Sequence, residues 1–173
     1  TAKLLYMDES GALNEAFSDF FGVVIAAFVK NQPADWAIGK EIFENERKEV
    51  GLRNLKDPSS IQARFRNKEG SLEQRPYPSK KSEKFESFEA CSSRNDRCYV
   101  HVNSMIPGHT MELLAEKLGL EAAEKLLYLS LTQYLSPTSD FEAFKTQTLK
   151  ACSQILHTDQ CKSAESAFAE TEL

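Results

Sequence analysis

Long apolar runs are missing from this chain. The longest, residues 20–29, falls well short of the roughly 20 residues that span a bilayer. A basic field is missing too. Lysine and arginine number 21 against 26 acids, for a net charge of −5, so nothing in the balance draws nucleic acid. Basic residues do gather between Arg75 and Lys84, but Glu73, Glu83 and Glu86 dilute them, and that stretch reads as a solvated loop. Histidine is scarce, with His101, His109 and His157 the only examples. None of them belongs to an H-E-x-x-H motif. Repeats, low-complexity segments and alternating strand patterns are also absent, which argues against solenoids and sheet proteins.

What is present suits one domain. A chain of 173 residues with 41% hydrophobic residues can bury a real core, so residues 1–173 are read as a single unit. The four cysteines fall into two close pairs, neither at zinc-knuckle spacing. Three pairings are formally open. Short loops favour Cys91–Cys98 with Cys152–Cys161, and an even, close set points to an oxidising compartment.

The periodicity is helical. Residues 10–30 read as a long buried helix capped by Ser10, with Leu13, Phe17, Phe20, Phe21, Val24 and Phe28 at helical spacing. Pro107 suits the first position of a helix whose stripe (Met111, Leu114, Ala115, Leu118) stops at Gly119. Residues 121–134 give another helix. Ser139 is placed to cap residues 140–156 with Glu142 as its box partner, and a last helix runs over about 159–169. Between about 44 and 99 the pattern is irregular, with short helical turns expected near 59–65 and 79–88. The class is all-α, a bundle with one long irregular excursion.

The segment GALNEAFSD at 11–19 carries the chemistry. It sets Glu15 and Asp19 one turn apart on an apolar helix, where unpaired acids are costly. A cation, or a histidine bound to one, makes such burial tolerable. Taken with Asp8 the same acids could instead hold Mg²⁺ in a nuclease, a reading weakened by the missing basic groove.

Residues 5–22 (LYMDESGALNEAFSDFFG) resemble the thermolysin family of zinc metalloendopeptidases. So do DWAIG at 35–39, LRNLKDP at 52–58, VHVNS at 100–104 and LTQYLSPTSDF at 131–141, in the family's order and nearly from end to end. The resemblance implies an orthogonal helical bundle like the thermolysin C-terminal domain. It makes Glu15 a zinc ligand and Asp19 a group that accepts a hydrogen bond from a zinc-bound histidine. It makes His101, oriented by Asp96, and Tyr6 donors to the oxyanion, and Arg53 a donor to the substrate carbonyl. Leu52, Ile38 and Ile42 match positions lining the pocket for the residue after the cleaved bond.

The family's H-E-x-x-H helix, which brings two zinc-ligating histidines and the general base, is not in this chain. The resemblance therefore implies the C-terminal half of a secreted, disulfide-bonded zinc protease, acting on peptides or proteins with an N-terminal H-E-x-x-H domain as partner, and inactive alone. Nucleic acid and membrane are not expected as partners. Where the family commonly binds calcium, Asp35 remains, but Ala26, Ala37 and Lys40 replace acids, so that site is expected to be lost or greatly weakened. Cys98-Tyr99 stands where the family has small, glycine-like residues before the histidine. The rival reading is a binding module that keeps the fold without the chemistry.

Overall fold

The computed structural model describes residues 2–44, 47–67 and 69–173. Helix α1 (Asp8–Lys30) is its axis. Ala12, Leu13, Ala16, Phe17 and Phe20 on its inner side are buried, and four helices of the C-terminal half pack on it. Helix α1 ends where Asn31 adopts the left-handed conformation (φ 49°) and its N–H meets the carbonyls of the last turn, a common helix stop.

The C-terminal half is helical throughout. It comprises α3 (Asp96–Asn103), α4 (Met105–Leu118), α5 (Leu120–Leu129), α6 (Phe141–Ile155) and α7 (Thr158–Glu170). Phe144 of α6 meets Phe168 of α7 and Phe17 of α1, with ring centroids 5.2 and 5.6 Å apart. Burying aromatic side chains of this size is the largest single source of core stabilisation. A disulfide, Cys152–Cys161, ties α6 to α7, and a second, Cys91–Cys98, lies at the start of α3.

The all-α class holds, and the long excursion after α1 has more order than its sequence pattern suggests. Short strands β1 (Ala37–Ile38) and β2 (Arg53–Asn54) pair antiparallel. Helix α2 (Arg47–Val50) lies between them. Strands β3 (Gln62–Arg66) and β4 (Leu72–Pro76) form a hairpin with Arg64 opposite Gln74 and Arg66 opposite Leu72. The helical turn expected near 59–65 is a single 3-10 turn at Pro58–Ser60, and a strand takes most of the rest of that range. The hairpin's polar, arginine-rich face hid its alternation.

Several helix ends also move. Ser10 lies inside α1, its hydroxyl donating to the Leu5 and Met7 carbonyls, and Met7 occupies the cap position without a side-chain bond. The cap of α6 is Asp140, which accepts from the Ala143 N–H at 2.8 Å. Ser139 instead accepts from the Ser136 N–H. Pro107 sits in the third position of α4 rather than the first. The helix expected over 121–134 widens into a π turn at Ser130–Tyr134. By length and apolar content α1 also passes as a membrane span, but its apolar inner stripe belongs to the core.

Candidate functional site

Glu15 and Asp19 sit on successive turns of α1, and two neighbouring segments bring partners to them. The first is the stretch just before α1, which holds Tyr6. The second is α3, which lies against α1 at Gly11. A β-carbon at Gly11 would come within 2.7 Å of Val100 Cγ2, so only glycine admits α3 this close. Val100 precedes His101, and this approach sets the imidazole over Glu15.

The Tyr6 hydroxyl donates to Glu15 Oε1 at 2.7 Å and lies 3.0 Å from His101 Nε2. Glu15 Oε2 is 3.6 Å from the same nitrogen. His101 Nδ1 meets Asp96 Oδ1 at 2.7 Å, and the His101 backbone N–H donates to Asp96 Oδ2 at 2.9 Å. A carboxylate only accepts, so Nδ1 carries a hydrogen. Tyr6 gives its single proton to Glu15, and Nε2 of His101 faces the phenolic oxygen. Burial, then the Glu15 hydrogen bond and the Glu15 and Asp96 charges, push the Tyr6 phenol well above its ordinary value, so it stays a donor.

Asp96 belongs to an unusual piece of backbone. Asp96, Arg97, Cys98 and Tyr99 all have positive φ, from 51° to 71°, a left-handed turn that costs L-residues roughly 1–2 kcal/mol each. Three devices hold it. Asn95 Oδ1 accepts from the Ser92 and Cys98 N–H groups. The buried Asn103 amide spans the Phe85 carbonyl and the Cys98 carbonyl. The Cys91–Cys98 disulfide closes the loop. Asp96 and His101 are legible in the sequence, whereas Asn95 and Asn103 are not, their only signal being an Asn on each side of the histidine.

Asp19 is 8% exposed and pairs with Arg53 through both its oxygens, Arg53 Nε to Oδ2 and Arg53 Nη2 to Oδ1 at 2.7 Å. Burial pushes the Asp19 carboxyl up, and the guanidinium opposes that shift. Arg53 is delivered by the β1–β2 pair, where Trp36 stacks on Phe20 and the Leu52 N–H donates to the Ile38 carbonyl. Gly39 leaves room there, since a β-carbon at that position would touch Leu52 and Ile42. Leu52, Ile38 and Ile42 therefore gather beside Arg53, with Leu52 and Ile42 exposed.

Beyond Asp19 a cavity of about 310 Å³ lies between α1 and the following loop, lined in part by Ala26, Asp35, Ala37 and Ile38. Lys40 Nζ sits 3.1 Å from Asp35 Oδ2 at its edge. On the other side of the core, Glu112 is 2% exposed. Burial first, then Glu116, raises its carboxyl to about 7, a feature with no signal in the sequence.

The family model described as thermolysin metallopeptidase, alpha-helical domain, matches residues 2–173. The chain is 28% identical over 168 residues to neutral protease NprE of Bacillus pumilus, covering 97% of this chain and 48% of that protein. It is 31% identical over 177 residues to protease PrtS of Photorhabdus sp. (strain Az29), covering 98% and 45%. A solved structure of the precursor of protealysin, a metalloproteinase from Serratia proteamaculans, superposes with a TM-score of 0.80 at 26% identity, over 98% of this chain and 52% of that one. The chain thus spans about half the length of these relatives.

Proposed function

This chain belongs to the thermolysin metallopeptidase family, as its alpha-helical domain, and from that footing we propose that it is the C-terminal half of the catalytic unit of a secreted zinc endopeptidase. The observation carrying the reading is the run Glu15, Tyr6, His101, Asp96, joined by contacts of 2.7, 3.0 and 2.7 Å. An acid, two donors and an orienting carboxylate in one row is what peptide hydrolysis at a metal requires.

Catalytic zinc takes three protein ligands. Among the described residues no group of three or more His, Cys, Asp or Glu side chains could hold an ion. Glu15 fits as one carboxylate ligand, and the other two come from an H-E-x-x-H domain outside this chain. When bound, zinc polarises a water and the scissile carbonyl.

This chain's residues do the rest of the electrostatic work. His101, held by Asp96, and Tyr6 aim hydrogens at the carbonyl oxygen as it gains charge. Asp19 accepts from the ring of a ligating histidine with a lone pair left over from Arg53, fixing that ring's tautomer. Arg53, braced on Asp19, donates to the substrate carbonyl beside the cleaved bond. Leu52, Ile38 and Ile42 receive a large apolar side chain after that bond. Without the general base and two ligands, the chain alone does not cleave peptides by this route. The two disulfides support secretion. The Lys40–Asp35 pair supports a lost calcium site, because an ammonium within 3.1 Å repels a divalent ion.

The test is complementation. Mixing this chain with a separately produced H-E-x-x-H domain should restore peptide cleavage at one zinc per complex, and Glu15→Gln should abolish both. A tight complex that neither binds zinc nor cleaves would replace this reading with that of a binding module.

A further inference from the structure

A second cavity, of about 570 Å³, opens between the β3–β4 hairpin and the segment leading into α3. Three guanidinium groups line it: Arg64 and Arg66, two residues apart on one face of β3, and Arg94 across the gap. All three are exposed. Arg66 donates to the Gly70 carbonyl at 2.9 Å. Among the described residues, neither Arg64 nor Arg94 is paired with an acid. Glu89 is the one carboxylate on the lining among the described residues. In a chain of net charge −5, this concentration of unneutralised cations is local and specific to the cavity.

The walls are apolar as well as cationic. Leu72 and Phe88 line the same space and are 64% and 57% exposed. Tyr99 closes one end, two residues before His101. Arg97, also on this segment, places its guanidinium 5.9 Å from the Tyr6 ring. Positive charge thus runs from the cavity toward the row of Glu15, Tyr6 and His101.

We propose that this cavity is a subsite for a carboxylate of the bound peptide, gripped by Arg64 and Arg94 with Arg66 in support. Guanidinium is suited to the task, since its fixed fork matches a carboxylate's two oxygens. Leu72 and Phe88 flank the guanidinium groups and offer apolar contact to the rest of the peptide. The inference rests on the peptidase reading for its ligand class. The carboxylate can be an internal Asp or Glu side chain or the peptide's own C-terminus.

The test measures binding, not turnover. Fluorescein-labelled heptapeptides carrying Asp and Glu, or Asn and Gln in their place, are titrated onto the chain and followed by anisotropy, each with a free or an amidated C-terminus. The acidic peptide should bind roughly tenfold more tightly than its amide twin. Raising NaCl should shrink that preference. The Arg64→Gln/Arg94→Gln variant should lose it, whereas Lys162→Gln, a cation removed from the far helix α7, should keep it.

A preference that survives terminal amidation assigns the site to side chains. Tighter binding of the free than of the amidated terminus, equal in acidic and neutral peptides, assigns it to the terminus. Equal affinity for all four peptides, acidic or neutral and free or amidated, or a preference unchanged in the double variant, overturns the proposal. Both substituted side chains are exposed, so the double variant should fold, and near-UV circular dichroism checks that it has. Failed complementation with an intact acidic preference would sink the peptidase reading alone.

Discussion

Asp96 holds His101 at two points, taking the backbone N–H on one oxygen and the ring Nδ1–H on the other, at 2.9 and 2.7 Å. The ring then has one orientation, with Nε2 facing Tyr6. In the complemented enzyme, His101→Ala should lower kcat about 100- to 1000-fold with a small change in KM. Asp96→Asn should lose about tenfold, because an amide offers one acceptor where two are needed. Steady-state kinetics on both variants checks the order. Equal losses would remove the positioning role.

Gly11 decides whether α3 can lie where it does. In Gly11→Ala the new methyl would meet Val100 at 2.7 Å, and overpacking of this kind costs about 1–3 kcal/mol. The variant should melt lower and, once complemented, cleave more slowly. Val100→Ala in the same chain should restore part of both. Chemical denaturation with parallel activity assays reads the pair.

Asp19 and Arg53 form a largely buried ion pair. Removing one partner strands the other charge, which costs about 3–5 kcal/mol. Asp19→Ala should therefore be more destabilising than the double change Asp19→Leu/Arg53→Met, although both abolish complementation. Urea unfolding curves distinguish the two outcomes.

Glu112 makes stability depend on pH in the less common direction. Its carboxyl is raised to about 7 in the fold, against an unfolded value near 4.5. The folded state binds the proton more tightly, so the contribution is complete below the unfolded value and drains away as pH rises through about 7. The loss across that window is about 3 kcal/mol. Glu112→Gln should flatten this slope and make the protein more stable than its parent at pH 8. A melting curve series from pH 5 to 8 reads it directly.

Calcium should do little. With Lys40 against Asp35, millimolar CaCl₂ should shift Tm by less than about 1 °C, as measured by calorimetry. Lys40→Glu with Ala37→Glu should make Tm respond to calcium, since hard cations want clustered carboxylates.

Periodicity and motif made the helices legible, because a core-facing stripe repeats every 3.6 residues whatever the detail around it. Leu13, Phe17 and Phe20 all face inward as that stripe requires. Helix ends were less legible. Asp140 and Ser139 both favour caps, and which one serves depends on φ and ψ that neighbours in space decide. The β3–β4 hairpin was missed since its outward residues are mostly arginine and glutamine, leaving only Ala63 buried to show an alternation. Within the site, Glu15, Tyr6, Asp96 and His101 were legible as a family pattern and do come together. Asn103 was not, because its job is to satisfy the Phe85 carbonyl and amide from 18 residues away.

The mirror-handed turn at Asp96–Tyr99 ties the imidazole's bearing to the oxidation state of one cystine. Material made in a reducing cytosol would still give the far-ultraviolet spectrum of a well-formed helical protein, since α1 and the C-terminal helices are held by their shared phenylalanine core. Its left-handed turn, though, would rest on Asn95 and Asn103 alone. A batch that passes every routine check of integrity would then be poorer in complementation, and re-oxidation rather than refolding would be the cure.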